Sequence, residues 1–140
     1  MTRYLLDTNV VSEIVAPKPS QKVVAFLENA SDSWLSVIVL HELVFGAESG
    51  KNNIRKKQLM TFIDGMRGQF RHRIFAVDLE VGETAGRLRA HAASKGRSLH
   101  PLDSLIAATA SVHKATLVTR NTKDFEALDI RILDPWLVYI

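Results

Sequence analysis

Leu99–Ser111 reads LHPLDSLIAATAS. Leu102, Leu105, Ile106, Ala107, Ala108 and Ala110 leave almost no polar face, so a helix here is buried nearly all round. Pro101 suits its first turn. Asp103 sits at the start of this apolar segment, where a charge entering a low-dielectric interior is costly unless something pairs with it. Upstream, RIFAV (73–77) reads as a short buried strand, and LEVGETAGRLRAHAASKG (79–96) as a helix stopped by Gly96. Downstream, TLVT (116–119) reads as a strand, KDFEAL (123–128) as a short helix and IRIL (130–133) as a last strand before Asp134-Pro135.

The N-terminal half repeats the alternation. RYLLD (3–7) is an apolar run ending in a carboxylate and reads as a first strand. TNVVSEIV (8–15) begins with cap-type residues and continues at helical spacing. After the break at Ala16-Pro17-Lys18-Pro19, Ser20 can cap a helix over QKVVAFLENA (21–30). WLSVI (34–38) is a second strand candidate, VLHELVFGAESG (39–50) a helix with Gly50 as its stop, and 53–70 a longer basic helix weakened by Gly65 and Gly68. Short apolar strands alternating with helices predict an α/β fold in three layers, a mostly parallel central sheet flanked by helices. At 140 residues the chain is expected to form one domain over 1–140.

There is no cysteine, which excludes disulfides, thiolate metal sites and a cysteine nucleophile. The first apolar run is broken by Asp7, unlike a signal peptide, and no apolar run is long enough to span a bilayer; a cytoplasmic protein without membrane contact is expected. Net charge is +3. The cations gather in two acid-free stretches, Lys51, Arg55, Lys56 and Lys57, then Arg87, Arg89, Lys95 and Arg97, which either touch phosphates or form solvated helix faces.

Ligands bind beyond the carboxyl ends of the strands of an open parallel sheet. Four acids fall there: Asp7 after the first strand, Glu42 in the helix after WLSVI, Asp103 opening the buried helix, and Asp124 after TLVT. Singly, each has a plain structural explanation. Asp7 and Asp124 could cap helices, Asp103 could favour a helix N-terminus, and Glu42 could face solvent. Together on one edge they repel, and at neutral pH must share protons or bind a cation. An all-oxygen, acid-rich site suits Mg²⁺ or Mn²⁺. Metal-assisted phosphodiester hydrolysis is the chemistry that follows, with Asp103 as a ligand.

The segments LLDTNVVSE (5–13), LHELVFG (40–46), PLDSLIAATA (101–110) and LVTRNTKDF (117–125), followed by DPW (134–136), resemble a PIN-domain ribonuclease of the VapC/FitB-like branch of type II toxin–antitoxin modules. The resemblance covers essentially the whole chain. It implies a Mg²⁺- or Mn²⁺-dependent endoribonuclease with an acidic cluster at Asp7, Glu42 and Asp103, Asp7 and Asp103 being direct metal ligands. It also implies a homodimer inhibited by a cognate antitoxin, binding promoter DNA only through the toxin–antitoxin complex. The fourth position is shared between Asp124, the carboxylate favoured here, and Asn121. Thr8, Asn9, Thr119 and Asn121 are candidates for orienting ligands and waters. Apolar faces around Val23, Val24, Phe26 and Leu27, and around Phe62, Ile63 and Met66, are either core or a groove for an antitoxin helix.

Other readings are weaker. His41-Glu42-Leu43 suggests a zinc protease, but the second His that motif needs is Phe45. A dehalogenase-type phosphatase needs a second Asp where Asn9 stands, and a phosphoacceptor receiver domain needs paired acids where only Asp7 occurs. A catalytically inactive binding module and a DNA nuclease using the same site stay open, because the carboxylates alone do not separate RNA from DNA.

Overall fold

The computed structural model describes residues 2–137. The strands are β1 (Tyr4–Leu6), β2 (Ser33–Ser36), β3 (Ile74–Phe75), β4 (Thr116–Val118) and β5 (Ile132–Leu133). They form one sheet, all parallel, in the order β3-β2-β1-β4-β5. The helices are α1 (Thr8–Ile14), α2 (Gln21–Asn29), α3 (Val37–Glu48), α4 (Asn53–Gln69), α5 (Leu79–Ser94), α6 (Pro101–Val112) and α7 (Thr122–Phe125). The chain winds outward from β1 through β2 to β3, then crosses back through α5 and α6 to lay β4 on the opposite flank of β1.

The order therefore reverses between β1 and β4, where Leu5 pairs with Leu117 and Leu6 with Val118. The strand alternation splits these residues between two cores. Leu5 and Leu117 pack with Ile106, Ala107, Ala110 and Phe125 on one face. Leu6, Leu35 and Val118 pack with Val10, Val11, Val23, Phe26 and Met66 on the other. Burial on both faces explains why the strands read as continuous apolar runs.

The apolar helix of the opening stretch is α6, with Ser104 and Ile106 through Ala110 buried. Its small residues let α5 approach closely, and Val81 and Ala85 of α5 join Ala108 in a third cluster. The buried Thr109 hydroxyl is satisfied by donating to Leu105 O at 2.7 Å. Pro101 occupies the first turn as expected; the cap is His100, whose Nδ1 accepts from Leu102 N–H at 3.1 Å.

Several boundaries differ from the sequence reading. WLSVI does not form a strand throughout: β2 ends at Ser36, whose hydroxyl accepts from Val39 N–H at 3.3 Å and starts α3. An N-capping side chain overrides the β-branched Val37 and Ile38 that follow it. α3 stops at Glu48 with Ser49 as its cap, before Gly50. Gly65 and Gly68 do not interrupt α4, because Ile63 and Met66 anchor it in the core. Gly96 ends the α5 segment with φ of +74°, a conformation that favours glycine.

Candidate active site at the carboxyl edge of the sheet

Asp7 follows β1 and is 5% exposed. Its backbone N–H donates to Val118 O at 2.9 Å, locking it to β4. Its side chain caps α1, Oδ1 accepting from Thr8 N–H at 2.8 Å. Oδ2 accepts from the Thr119 hydroxyl at 2.8 Å and from Asn9 Nδ2 at 3.3 Å. The capping explanation of Asp7 is thus true, and it does not exhaust the residue. One lone pair of Oδ1 stays open, since an ionised carboxylate offers about four acceptor positions.

Thr119, fully buried at the end of β4, is the hub of this network. Its oxygen also accepts from Asn9 Nδ2 at 3.2 Å and from Asn121 N–H at 3.1 Å. Asn9 in turn accepts through Oδ1 from Arg120 N–H at 3.1 Å. On the other side, the Thr8 hydroxyl donates to Glu42 Oε1 at 2.8 Å, which fixes this carboxylate of α3 over the start of α1.

Asp103 stands in the first turn of α6, half-buried, and among the described residues its carboxylate accepts no hydrogen bond. Asp124 is exposed on α7, also without such a partner, and shares with Asp103 a cavity of about 270 Å³ lined in addition by Arg97, His100 and Lys123. Burial raises the Asp103 carboxyl above its ordinary value, and the charges of Asp7, Asp124 and Glu42 raise it further, against a smaller lowering by His100. Burial also raises Asp7, helped by Glu42 and opposed by the hydrogen bonds from Thr119, Thr8 and Asn9.

All four acids predicted from the sequence are electrostatic neighbours, since Asp103 feels each of the other three. Of the orienting candidates, Thr8, Asn9 and Thr119 bond directly to the carboxylates, while Asn121 enters by its backbone and makes no side-chain cap. His41 is exposed and makes none of these contacts. Among the described residues no three His, Asp or Glu side chains converge tightly enough to enclose a metal by themselves. The donors are the open lone pair of Asp7 and the unbonded oxygens of Asp103, with Asp124 lining the cavity beside Asp103. Few carboxylates and several waters is the manner in which Mg²⁺ is held, so the residues fit such a cation. Arg97 belongs to the second basic stretch read from the sequence, whereas His100 and Lys123 were not foreseen in the site. A histidine cap and cations beside an acidic cluster have no spacing signature.

Residues 4–131 match the PIN domain family. The chain is 36% identical to Toxin FitB of Neisseria gonorrhoeae over 135 residues, 94% of this chain and 97% of that protein. It is 30% identical to the tRNA(fMet)-specific endonuclease VapC of Shigella flexneri over 138 residues, 97% and 99% of the two chains. Among solved structures, the FitAcB complex of Neisseria gonorrhoeae superposes with a TM-score of 0.91 at 35% identity, covering 96% of this chain and 99% of the other. VapBC2 of Rickettsia felis, bound to a DNA fragment from its promoter, gives 0.76 at 26%, covering 94% and 98%.

Proposed function

The chain belongs to the PIN-domain family, among VapC/FitB-like toxins, and from this premise we propose that it is the toxin of a toxin–antitoxin module and a Mg²⁺-dependent endoribonuclease, with Mn²⁺ able to substitute. The observation that carries the reading is Asp103. A half-buried carboxylate without a hydrogen-bond donor, pushed upward by three neighbouring acids, is an unfavourable placement that a bound cation reverses. RNA is favoured over DNA because relatives are named ribonuclease or endonuclease for tRNA.

A divalent cation supplies a water of lowered pKa and compensates charge on the phosphoryl oxygens. The chain's own residues do the rest. Asp7 and Asp103 would hold the cation. Thr119, Asn9 and the Thr8 N–H fix the Asp7 oxygens, while Thr8 fixes Glu42 through Oε1 and leaves Oε2 unbonded as a proton acceptor. Asp124 supplies the fourth carboxylate and Asn121 a neutral amide beside it.

The partners follow the same logic. Val23, Phe26, Ile63 and Met66 are core, but Leu27, Phe62 and Met66 also line a cavity of about 410 Å³ between α2 and α4, suited to an apolar antitoxin segment. Solved relatives include FitAB and VapBC complexes bound to DNA, one of them to a fragment from its promoter, and contact with promoter DNA through the antitoxin is proposed here. α3 leaves Val37, Val44 and Phe45 exposed, the last by 68%, which favours a homodimer across that helix. No helix among the described residues is long and apolar enough to cross a membrane, and the cytoplasm, where RNA is at hand, is the proposed site of action.

The experiment is cleavage of total cellular RNA by the purified chain with Mg²⁺, Mn²⁺ or EDTA, beside Asp103→Asn. Discrete fragments that need metal and vanish in the variant are expected. Intact RNA from a folded chain that binds no Mg²⁺ would favour an inactive binding module, and fragments from DNA alone would favour a DNA nuclease.

A further inference from the structure

Arg120 is an exposed cation whose guanidinium makes no hydrogen bond or ion pair among the described residues, yet its position is fixed at both ends. Its backbone N–H donates to Asn9 Oδ1, and the same Asn9 amide donates to Asp7 Oδ2, so a single side chain couples Arg120 to the acidic centre. Its guanidinium carbon lies 4.8 Å from the centroid of Trp136. Trp136 is itself held: it packs against the core of the β1 face, follows the buried Pro135, and donates its N–H to Asp134 Oδ1 at 2.9 Å. Several other arginines of the chain are engaged. Arg97 pairs with Glu126, Arg3 lies against Asp32, and Arg73 donates to Ser33 O.

Both residues lie just beyond the carboxyl ends of β4 and β5, on the same edge of the sheet as Asp7. The cavity shared by Asp103 and Asp124 is lined from α5, the start of α6 and α7, whereas Trp136 packs against the core cluster of Leu6 and Val118. The geometry points to Arg120 as a positioning residue: presented on the indole of Trp136, it binds a phosphate of the RNA strand adjacent to the scissile phosphodiester. This inference rests on the ribonuclease reading above. Planar guanidinium donors match two phosphate oxygens at once, and stacking on an aromatic ring restricts their orientation before the strand arrives. A cation beside a carboxylate cluster also offsets its repulsion of the strand. A guanidinium with a purely structural role would be expected to pair with a carboxylate; this one is exposed and has no such partner among the described residues.

The test is binding of a short, fluorescently labelled single-stranded RNA of mixed sequence in EDTA across a KCl titration, together with Mg²⁺-dependent cleavage kinetics, for the unaltered chain, Arg120→Ala, Arg120→Lys and Trp136→Leu. Arg120→Ala is expected to weaken binding about tenfold. It should also make the slope of log K against log salt shallower by about 0.7, the loss of one phosphate contact on a single strand. KM should rise more than kcat falls. Arg120→Lys should keep the salt slope, and Trp136→Leu should keep the slope while weakening binding, because the charge remains and its orientation is lost. An Arg120→Ala chain with unchanged affinity and slope, beside an unaltered chain that binds and cuts RNA, overturns this inference alone. An unaltered chain that neither binds nor cuts RNA overturns it together with the ribonuclease reading.

Discussion

The Thr119 hydroxyl donates to Asp7 Oδ2 at 2.8 Å, joining the ends of the two central strands across 112 residues of sequence. The contact is buried, and the same oxygen accepts from Asn9 and Asn121, so one hydroxyl satisfies three partners. Thr119→Val keeps the shape and removes that oxygen. The expected cost is about 1–3 kcal/mol, because donors and an acceptor are left unpaired in a dry site. Thermal unfolding measures it, and a fall in Mg²⁺ affinity should accompany it.

Asp7→Asn and Asp103→Asn should both abolish cleavage, yet differ in stability without metal. Asp103 accepts no hydrogen bond and is raised by its neighbours, so its neutral isostere should leave the melting temperature equal or higher, with a change of at most about 1 kcal/mol. Asp7 holds three hydrogen bonds, and an amide NH₂ facing Thr119 or Asn9 would oppose a donor, so Asp7→Asn should lower it. An unfolded Asp103→Asn chain would mark that carboxylate as structural.

The raised Asp7 and Asp103 carboxyls set the pH dependence. An acid raised in the folded state stays protonated there when the unfolded chain has already ionised, so stability falls as pH rises from the ordinary value of 3.8 through the raised folded value. Above that window the penalty is complete. Melting curves in EDTA should show the decline and curves in Mg²⁺ should flatten it, because the cation favours the ionised pair.

Glu42→Gln retains an oxygen able to accept the Thr8 hydroxyl and removes only the charge. Folding should be unchanged while Mg²⁺ binding weakens and cleavage drops, as titration calorimetry and RNA digestion would measure. A destabilised variant of normal activity would place Glu42 in the scaffold instead.

His100→Ala removes the cap of α6 and should cost about 0.5–2 kcal/mol, whereas His100→Asn should restore most of it. Cleavage should follow the same order, because this cap fixes the turn that carries Asp103.

The layers and the acidic edge were legible in the sequence because both rest on local pattern. Five apolar runs separated by helical periods have few other solutions than a covered parallel sheet; Asp7 follows β1, Glu42 and Asp124 lie in the helices after β2 and β4, and Asp103 stands in the first turn of α6. What the sequence withheld was pairing across distance. RIFAV shrinks to the two residues of β3, since only Ile74 and Phe75 meet β2. The dual bonding of Asn9, the hub at Thr119 and the stack of Arg120 on Trp136 all depend on which strand ends become neighbours, and no spacing within one segment encodes that.

The strand order has a consequence for how the chain is made. β1 emerges first from synthesis but takes β4 as a neighbour, and the hydroxyl that orients Asp7 comes from the residue after β4. Such long-range pairing forms late and slowly. A polypeptide interrupted between Asp103 and Thr116 carries Asp7, Glu42 and Asp103, yet lacks the strand that aligns them. In such a polypeptide Asp7 has neither the Val118 carbonyl nor the Thr119 hydroxyl to hold it.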